Sequence, residues 1–235
     1  MHYWNQTHYN GLDEIACTLE QKGGFGDLAR YCRLRDQGLR NEAMAALRSF
    51  LHDARQLPYG AQRTMACEVV ELHHHNQPLH QLLCQPLTRY LTEVLQGWCA
   101  ERPQNPAPYR WLAALADEPD LYKAALDIDP GDIISLNGLI GAHLQALDFA
   151  THHLCESCFM GSESDAYRHL SGAAELAMRL PISESKTRHI EDIAFYRRVL
   201  RAWGRYRRDR SSLTFPDWTA RHGYDFSLGE VFYYS

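Results

Sequence analysis

Residues 86–98 read PLTRYLTEVLQGW, and this stretch decides the fold class. Its large apolar side chains recur at intervals of three and four residues, the spacing that places them on one face of an α-helix. They are Leu87, Tyr90, Leu91, Val94, Leu95 and Trp98. Pro86 precedes them at a position where the first turn of a helix tolerates proline. The stretch therefore predicts an amphipathic helix with one buried face.

The same helical spacing recurs along nearly the whole chain, whereas the alternation typical of strands is nearly absent. Further helices are predicted around residues 12–19 and 27–32 and at residues 41–57, 61–75, 109–116, 120–126, 133–147, 162–180 and 186–208. Asp27 and Ser162 are interpreted as N-caps, and Pro58, Pro78 and Pro181 as helix ends. The pattern predicts an all-α protein built from antiparallel helical hairpins.

Composition limits the kinds of partner and the compartment. With 235 residues, 45% of them hydrophobic, the chain can bury a continuous core, and its net charge of −5 gives no overall attraction to nucleic acid or an anionic membrane. No stretch approaches the roughly 18 consecutive apolar residues of a membrane span, and the N-terminal residues lack the basic and apolar regions of a signal peptide. Seven cysteines, an odd number, favour buried, reduced thiols over a disulfide framework. We therefore expect a cytoplasmic protein that does not enter a membrane.

Three prolines, Pro103, Pro106 and Pro108, mark the clearest interruption of the helical pattern. We interpret residues 102–108 as a bend between two halves of a single helical domain that covers residues 1–235. The C-terminal tail is rich in aromatic residues, which are costly to leave in water and are expected to pack as a cap on the last helices. These residues are Phe215, Trp218, Tyr224, Phe226, Phe232, Tyr233 and Tyr234.

Residues 121–144, LYKAALDIDPGDIISLNGLIGAHL, resemble the junction between two tetratricopeptide repeats. Tyr122 and Ala125 stand at the aromatic and small positions of a second helix, and Pro130 stands at the terminal proline. The positions of the next first helix are occupied by Leu136, Leu139, Ile140 and His143, where Ile140 replaces the expected glycine and His143 the expected tyrosine. A second partial match comprises Gly38, Ala43 and Leu47.

The resemblance to tetratricopeptide-repeat proteins covers about a third of the chain, and no full repeat is clean. It implies a short superhelix of stacked hairpins whose concave groove binds a peptide or protein segment. The alternative is a closed, non-repetitive helical bundle. A stack of hairpins also leaves one extended surface lined by side chains on general physical grounds.

Histidine and cysteine side chains are concentrated in residues 152–158, HHLCESC. If this segment is helical, His152, Cys155 and Cys158 share one face, and such ligands suit zinc. A structural zinc site usually has a second pair of cysteines, which the chain lacks, so the alternative is that both cysteines are small buried side chains. We expect no bound cofactor. The alternative function is a zinc-dependent helical enzyme or sensor that uses these three residues together with His143 or His153.

Other arrangements that support chemistry are weaker or absent. His73, His74 and His75, with His80, could be read as a metal site, but adjacent histidines on a helix point about 100° apart. A favourable charge at a helix C-terminus explains them better. The sequence contains no nucleophile elbow, phosphate-binding loop, dinucleotide fingerprint or metalloprotease motif, so we predict no catalytic residues.

Residues 197–210, RRVLRAWGRYRRDR, hold seven arginines and one aspartate, a local charge of +6 that leaves −11 on the rest of the chain. Arg197, Arg201, Arg205 and Arg208 recur at helical spacing and form a basic stripe. This stripe could meet an acidic protein or a phosphate backbone. The alternative is a solvated face that forms salt bridges with the acidic remainder of the chain.

Together these patterns favour a non-enzymatic protein-interaction module, either an adaptor or a specific inhibitor, of which immunity proteins that block a toxin are one kind. Because interface hot spots are enriched in aromatic residues and arginine, Tyr109 and Trp111 join the arginine stripe as predicted partner-binding residues. Nucleic-acid binding through the stripe is the third hypothesis. The partner is expected to be a protein or a peptide, and the oligomeric state is left open.

Overall fold

The computed structural model of the chain describes residues 7–76 and 82–226. These residues contain eleven α-helices and one short 3-10 helix, and they contain no strand, so the all-α prediction is confirmed. They form two compact units, one ending at Ile128 and the other beginning at Asp129. The expectations about Pro78, His80 and the final aromatic residues 232–234 fall outside the described residues.

The described residues of the first unit contain seven helices. They are α1 (Thr7–Glu20), α2 (Gly26–Asp36), α3 (Arg40–Gln56), α4 (Tyr59–His75), α5 (Gln85–Ala100), α6 (Ala107–Ala116) and α7 (Pro119–Ile128). Consecutive helices pack against each other from α1 to α3 and again from α4 to α7. The proline-rich residues 102–108 lie inside this unit, between α5 and the first turn of α6.

Helical periodicity explains how this unit is packed. The stripe predicted on α5 is buried at Leu87, Tyr90, Leu91, Val94 and Leu95. The stripe predicted on α1 is buried in the same way, at Leu12, Ile15, Ala16 and Leu19. Each helix therefore contributes one apolar face to a shared core.

The predicted N-cap at Asp27 is wrong. Helix α2 begins at Gly26, and its cap residue is Phe25, which makes no side-chain capping hydrogen bond. Phe25 is buried, and its ring stacks on Phe50 with 6.2 Å between centroids. Packing of this ring sets the start of the helix, and Asp27 lies in the first turn, where a carboxylate is still favoured by the helix dipole.

The second unit is formed by α8 (Ile133–Thr151), a 3-10 helix (Leu154–Glu156), α9 (Glu163–Arg179), α10 (Glu184–Asp209) and α11 (Phe215–Arg221). Helix α9 packs against both α8 and α10, and α10 also contacts α8. Polar caps begin these helices: the side chain of Asp132 accepts a hydrogen bond from the Ser135 amide at 2.8 Å, and Ser162 caps α9 as predicted. These caps satisfy backbone donors that a helix start leaves unpaired.

An aromatic cluster holds α11 against α10. Phe215 and Trp218 are buried together with Trp203, Val199, Ala202 and Leu154, and Tyr206, Tyr224 and Phe226 pack around them. The Phe215 ring lies 5.3 Å from that of Trp203 and 5.4 Å from that of Tyr206. The described aromatic residues of the tail are thus part of a core.

Residues Ile133–Glu156 form a stretch that is long and apolar enough to cross a membrane, judged by length and composition alone. The sequence-based expectation named no such stretch. A single helix of this kind is weak evidence for a membrane span, because helices in the core of soluble proteins have the same composition. In the structure, α8 packs against α9 and α10.

A polar contact between α8 and α10 contains a titratable histidine, His189. The Asn137 side-chain oxygen accepts hydrogen bonds from Ser185 Oγ at 2.7 Å and from His189 Nε2 at 2.9 Å. Nδ1 of His189 is buried and has no hydrogen-bond partner among the described residues. Burial lowers the pKa of His189, with nearby Arg188 acting in the same direction and Asp192 opposing. Protonation would place a second N–H where nothing accepts it.

We therefore expect this unit to lose stability as the pH falls below about 6.5, the pKa of an unfolded histidine. The unfolded state then binds a proton that the folded state resists, so the contribution is complete above pH 6.5 and is lost below it. In His189→Gln, whose amide can still donate to Asn137, urea unfolding should depend less on pH over this range. An unchanged pH dependence would show that His189 does not contribute.

Candidate functional site

The arginine-rich part of α10 presents several exposed cations that form no ion pair with a described carboxylate. Arg197, Arg198, Arg201, Arg205 and Arg208 are exposed. In the part of the chain that the structure describes, Arg207 is the one arginine of residues 197–210 that forms an ion pair, with Glu163 at 2.6 Å. Among the described residues, an intramolecular salt bridge therefore neutralises Arg207 and none of the four stripe arginines.

Part of this face forms a concavity of about 550 Å³, which we call the arginine concavity. Helix α10 supplies Arg198, Arg201, Gly204, Arg205 and Arg208, α9 supplies Tyr167, and the segment after α11 supplies Tyr224. Since a helix rises 1.5 Å per residue, the four arginines are distributed over about 15 Å of its length. The lining contains arginines and tyrosines, and no described residue of the lining carries a carboxylate.

Two of these guanidinium groups are held by the segment that follows α11. Arg205 Nη1 donates a hydrogen bond to the Tyr224 hydroxyl oxygen at 2.9 Å. The guanidinium of Arg198 lies over the Phe226 ring, 5.6 Å from its centroid. The rings of Tyr224 and Phe226 stack on each other at 5.4 Å, and Tyr224 also stacks on Trp218 at 5.8 Å. The buried aromatic cluster thus positions two arginines at the surface.

A second concavity of about 410 Å³ lies beside the first and shares Tyr167 and Arg201 with it. It is lined further by Arg197 and by α9 residues that include Ser171 and Glu175. Arg201, Arg205 and Arg208 of the predicted stripe line the arginine concavity, whereas Arg197 lines its neighbour. Arg198, Tyr167 and Tyr224 were not predicted. Helical spacing from Arg201 could have indicated Arg198, but no local signal indicates the two tyrosines.

The two aromatic residues predicted to face a partner are placed differently from expectation. The prediction that Trp111 lies at the surface is wrong. Only 2% of this residue is exposed, and the centroid of its ring lies 5.7 Å from that of His74. Trp111 lies on the buried face of α6 and packs in the core of the first unit. Tyr109 is half-buried, and its hydroxyl donates a hydrogen bond of 3.5 Å to the Cys99 carbonyl oxygen.

The helical argument for a zinc site at residues 152–158 does not hold. Helix α8 ends at Thr151, and Ser157 adopts a left-handed backbone conformation with φ of 60°, so His152, Cys155 and Cys158 do not form one helical stripe. His152 Nδ1 contacts the Phe149 carbonyl oxygen at 2.8 Å, and His153 Nδ1 contacts Glu156 Oε1 at 3.0 Å. Across the described residues, no three His, Cys, Asp or Glu side chains are placed to hold a metal ion.

Ser157 instead anchors the aromatic cluster, because its hydroxyl accepts a hydrogen bond of 2.7 Å from the Phe215 amide. His143, another residue considered for zinc, lies with its Nδ1 2.9 Å from Nδ1 of His169 on α9. This pairing was not anticipated. The segment therefore contributes to the packing of the second unit.

The expectation that the histidines at the end of α4 carry a favourable positive charge is also wrong for His74. Burial beside Trp111 lowers the pKa of His74, and His75 lowers it further, so the neutral form of this ring is favoured. His75 uses Nδ1 to contact the Glu71 carbonyl oxygen at 2.9 Å.

All seven cysteines are free, in agreement with the prediction of reduced thiols. Burial raises the pKa of Cys32 to about 12 and those of Cys67 and Cys99 to about 11. These three thiols are therefore poor nucleophiles at neutral pH. Cys17 and Cys158 are exposed, contrary to the expectation that the thiols are buried.

The comparisons with known proteins place the chain in no family. No family model, no curated protein and no solved structure matches it.

Proposed function

We propose that the chain is a non-enzymatic interaction module that binds an acidic segment of a partner protein along the exposed arginines of α10. The observation that carries this proposal is that Arg201, Arg205 and Arg208 line one concavity and form no ion pair with any described residue. Unpaired cations of this kind attract a complementary acidic surface and accelerate its encounter. An adaptor or a specific inhibitor of an acidic protein would both use such a surface.

The architecture that we propose for this module is a short tetratricopeptide-like superhelix, with the aromatic C-terminal segment as its cap. Within each unit, the packing of α1 to α3, of α4 to α7 and of α8 to α10 on sequential neighbours supports this view, as do the buried Phe215 and Trp218. The segment with the resemblance supplies α7, where Tyr122 and Ala125 are buried, and α8, where Leu136 and Ile140 are buried.

Single-stranded nucleic acid is a second candidate ligand, because Tyr167 and Tyr224 lie beside the four arginines. Tyrosine rings that stack on bases, next to arginines that contact phosphates, are typical of single-strand binding sites. The net charge of −5 favours the protein partner, since nonspecific binding to nucleic acid is rewarded by a basic protein.

A fluorescein-labelled octaglutamate peptide tests the proposed function. We expect it to bind the wild-type chain in fluorescence anisotropy and to bind less tightly as the salt concentration rises. Arg201→Gln/Arg205→Gln should weaken binding about tenfold, or ~1.4 kcal/mol, because two unpaired cations are removed.

The matched control is Arg168→Gln/Arg188→Gln. It removes two exposed arginines of the same unit that are already paired, with Asp165 at 2.7 Å and with Glu184 at 3.3 Å. Its affinity should stay close to that of the wild type. No binding by the wild-type chain, or equal losses in the two double variants, would contradict the proposal.

A further inference from the structure

The arginine concavity differs from an ordinary basic surface because four arginines and two tyrosines line one recessed space. The concavity of about 550 Å³ is lined by Arg198, Arg201, Arg205 and Arg208 together with two tyrosines, and none of the described lining residues carries a carboxylate. Arginine carries its donors in a planar fork that matches the oxygens of a phosphate or carboxylate. The site is therefore suited to a compact anion with several acceptor oxygens.

Two of the donors are held in place before any ligand arrives. The Tyr224 hydroxyl accepts a hydrogen bond from Arg205, and the Phe226 ring lies under Arg198. Both rings are stacked on the aromatic cluster around Trp218, directly or through each other. Arginine side chains fixed in this way lose less conformational freedom when they bind an anion.

Gly204 is an independent sign that the space is kept open. It lies in the middle of α10, where glycine disfavours the helix compared with alanine. A Cβ atom built at this position would meet only Arg208 Nη1, at an ordinary contact distance of 3.9 Å. Neither helix packing nor backbone conformation requires glycine here, but any larger side chain would enter the lining of the arginine concavity.

We propose that the arginine concavity binds a phosphorylated side chain of the partner protein, a deeper assignment that rests on the proposed function. A phosphomonoester carries a charge of about −1.5 to −2 and three acceptor oxygens, whereas a carboxylate carries one charge and two oxygens. The phosphate can therefore accept hydrogen bonds from more of the lining arginines than a carboxylate can. The neighbouring concavity, with Arg197 and Arg201, then accommodates acidic residues next to the phosphorylated one.

Three heptapeptides test this assignment by isothermal titration calorimetry at about physiological ionic strength. One has a central phosphoserine flanked by glycine and serine, the second has two central glutamates with the same total charge, and the third is unmodified. We expect the phosphopeptide to bind at least about tenfold more tightly than the glutamate peptide. Binding of the unmodified peptide should be undetectable.

Gly204→Leu fills the concavity and should weaken binding of the phosphopeptide at least about tenfold. The matched control is Gly141→Leu, which makes the same change in the middle of α8, where a Cβ atom would meet nothing within 4 Å. It should bind like the wild type. If Gly204→Leu does not fold, Arg198→Gln/Arg208→Gln should show the same loss without filling the space.

Each contrary outcome has a separate meaning. Equal affinities for the phosphopeptide and the glutamate peptide would overturn the phosphate assignment and leave the proposed function standing. If neither of these two peptides nor octaglutamate binds, both the phosphate assignment and the proposed function would be overturned. A labelled decauridylate that binds more tightly than the phosphopeptide, and loses affinity in Gly204→Leu, would overturn the assignment in favour of single-stranded nucleic acid.

Discussion

Replacing Phe215 with alanine is expected to destabilise the second unit by about 3–5 kcal/mol, the range for removing a large buried aromatic side chain. Phe215 is 0% exposed, and its ring lies against those of Trp203, Tyr206 and Trp218. The substitution leaves a cavity that these rigid rings cannot fill. The same cluster positions Tyr224 and Phe226, so the arginine concavity should also lose its order.

The free energy of unfolding can be measured from the urea dependence of hydrogen exchange in peptides from residues 133–221, which reports on this unit alone. Phe149→Ala is the matched control, because Phe149 lies in α8 with 60% of its surface exposed. It should change the free energy of unfolding by less than about 0.5 kcal/mol. A loss of less than about 1 kcal/mol for Phe215→Ala would contradict the packing described for the cluster.

Helix positions were predictable because the apolar residues repeat with the helical period. The helix predicted at residues 41–57 occurs as Arg40–Gln56, and the one predicted at residues 162–180 occurs as Glu163–Arg179, with Ser162 as its cap. The pattern failed for α11, which has only seven residues and lies in the aromatic tail, for which packing as a cap was predicted but no helix. Two turns are too few for a periodic signal to stand out.

The helix end at Thr151 could not be seen because neither glycine nor proline marks it. Residues 152–158 contain histidine, cysteine and Ser157, and it is Ser157 that takes the left-handed conformation. Its hydroxyl bonds to the Phe215 amide 58 residues later, so a distant contact fixes the local backbone. The zinc hypothesis assumed that residues 152–158 continue as an α-helix. The structure has no α-helix there, so the assumed common face of the ligands does not exist.

The candidate site was predictable on one helix only. Spacing along α10 brought out Arg201, Arg205 and Arg208, which share the arginine concavity. Tyr167 and Tyr224 come from other segments, and no sequence pattern links them to α10. Whether the arginines are paired also depends on tertiary structure, since Glu163 satisfies Arg207 and leaves the neighbouring arginines free of ion pairs with described residues.

Replacing Trp111 with alanine is expected to destabilise the first unit by about 3–5 kcal/mol, because a fully packed indole is lost. The sequence-based interpretation placed this residue at an interface, where the same substitution would weaken partner binding and leave stability nearly unchanged. The structure buries the ring between the helices of the first unit, next to His74 and beneath the guanidinium of Arg110, which is 5.1 Å from the centroid. The two interpretations therefore predict opposite results.

Tyr109→Phe provides the matched comparison on the same helix. It removes only a hydroxyl whose 3.5 Å hydrogen bond to Cys99 is long, so we expect a loss of less than about 1 kcal/mol. Urea-dependent hydrogen exchange of peptides from residues 85–128 would measure both variants, and octaglutamate anisotropy on folded protein would measure binding. If Trp111→Ala kept its stability and lost peptide affinity, the indole would belong to the interface after all. If it lost stability, Trp111 would be a core residue and the aromatic part of the interface would have to come from Tyr167 and Tyr224.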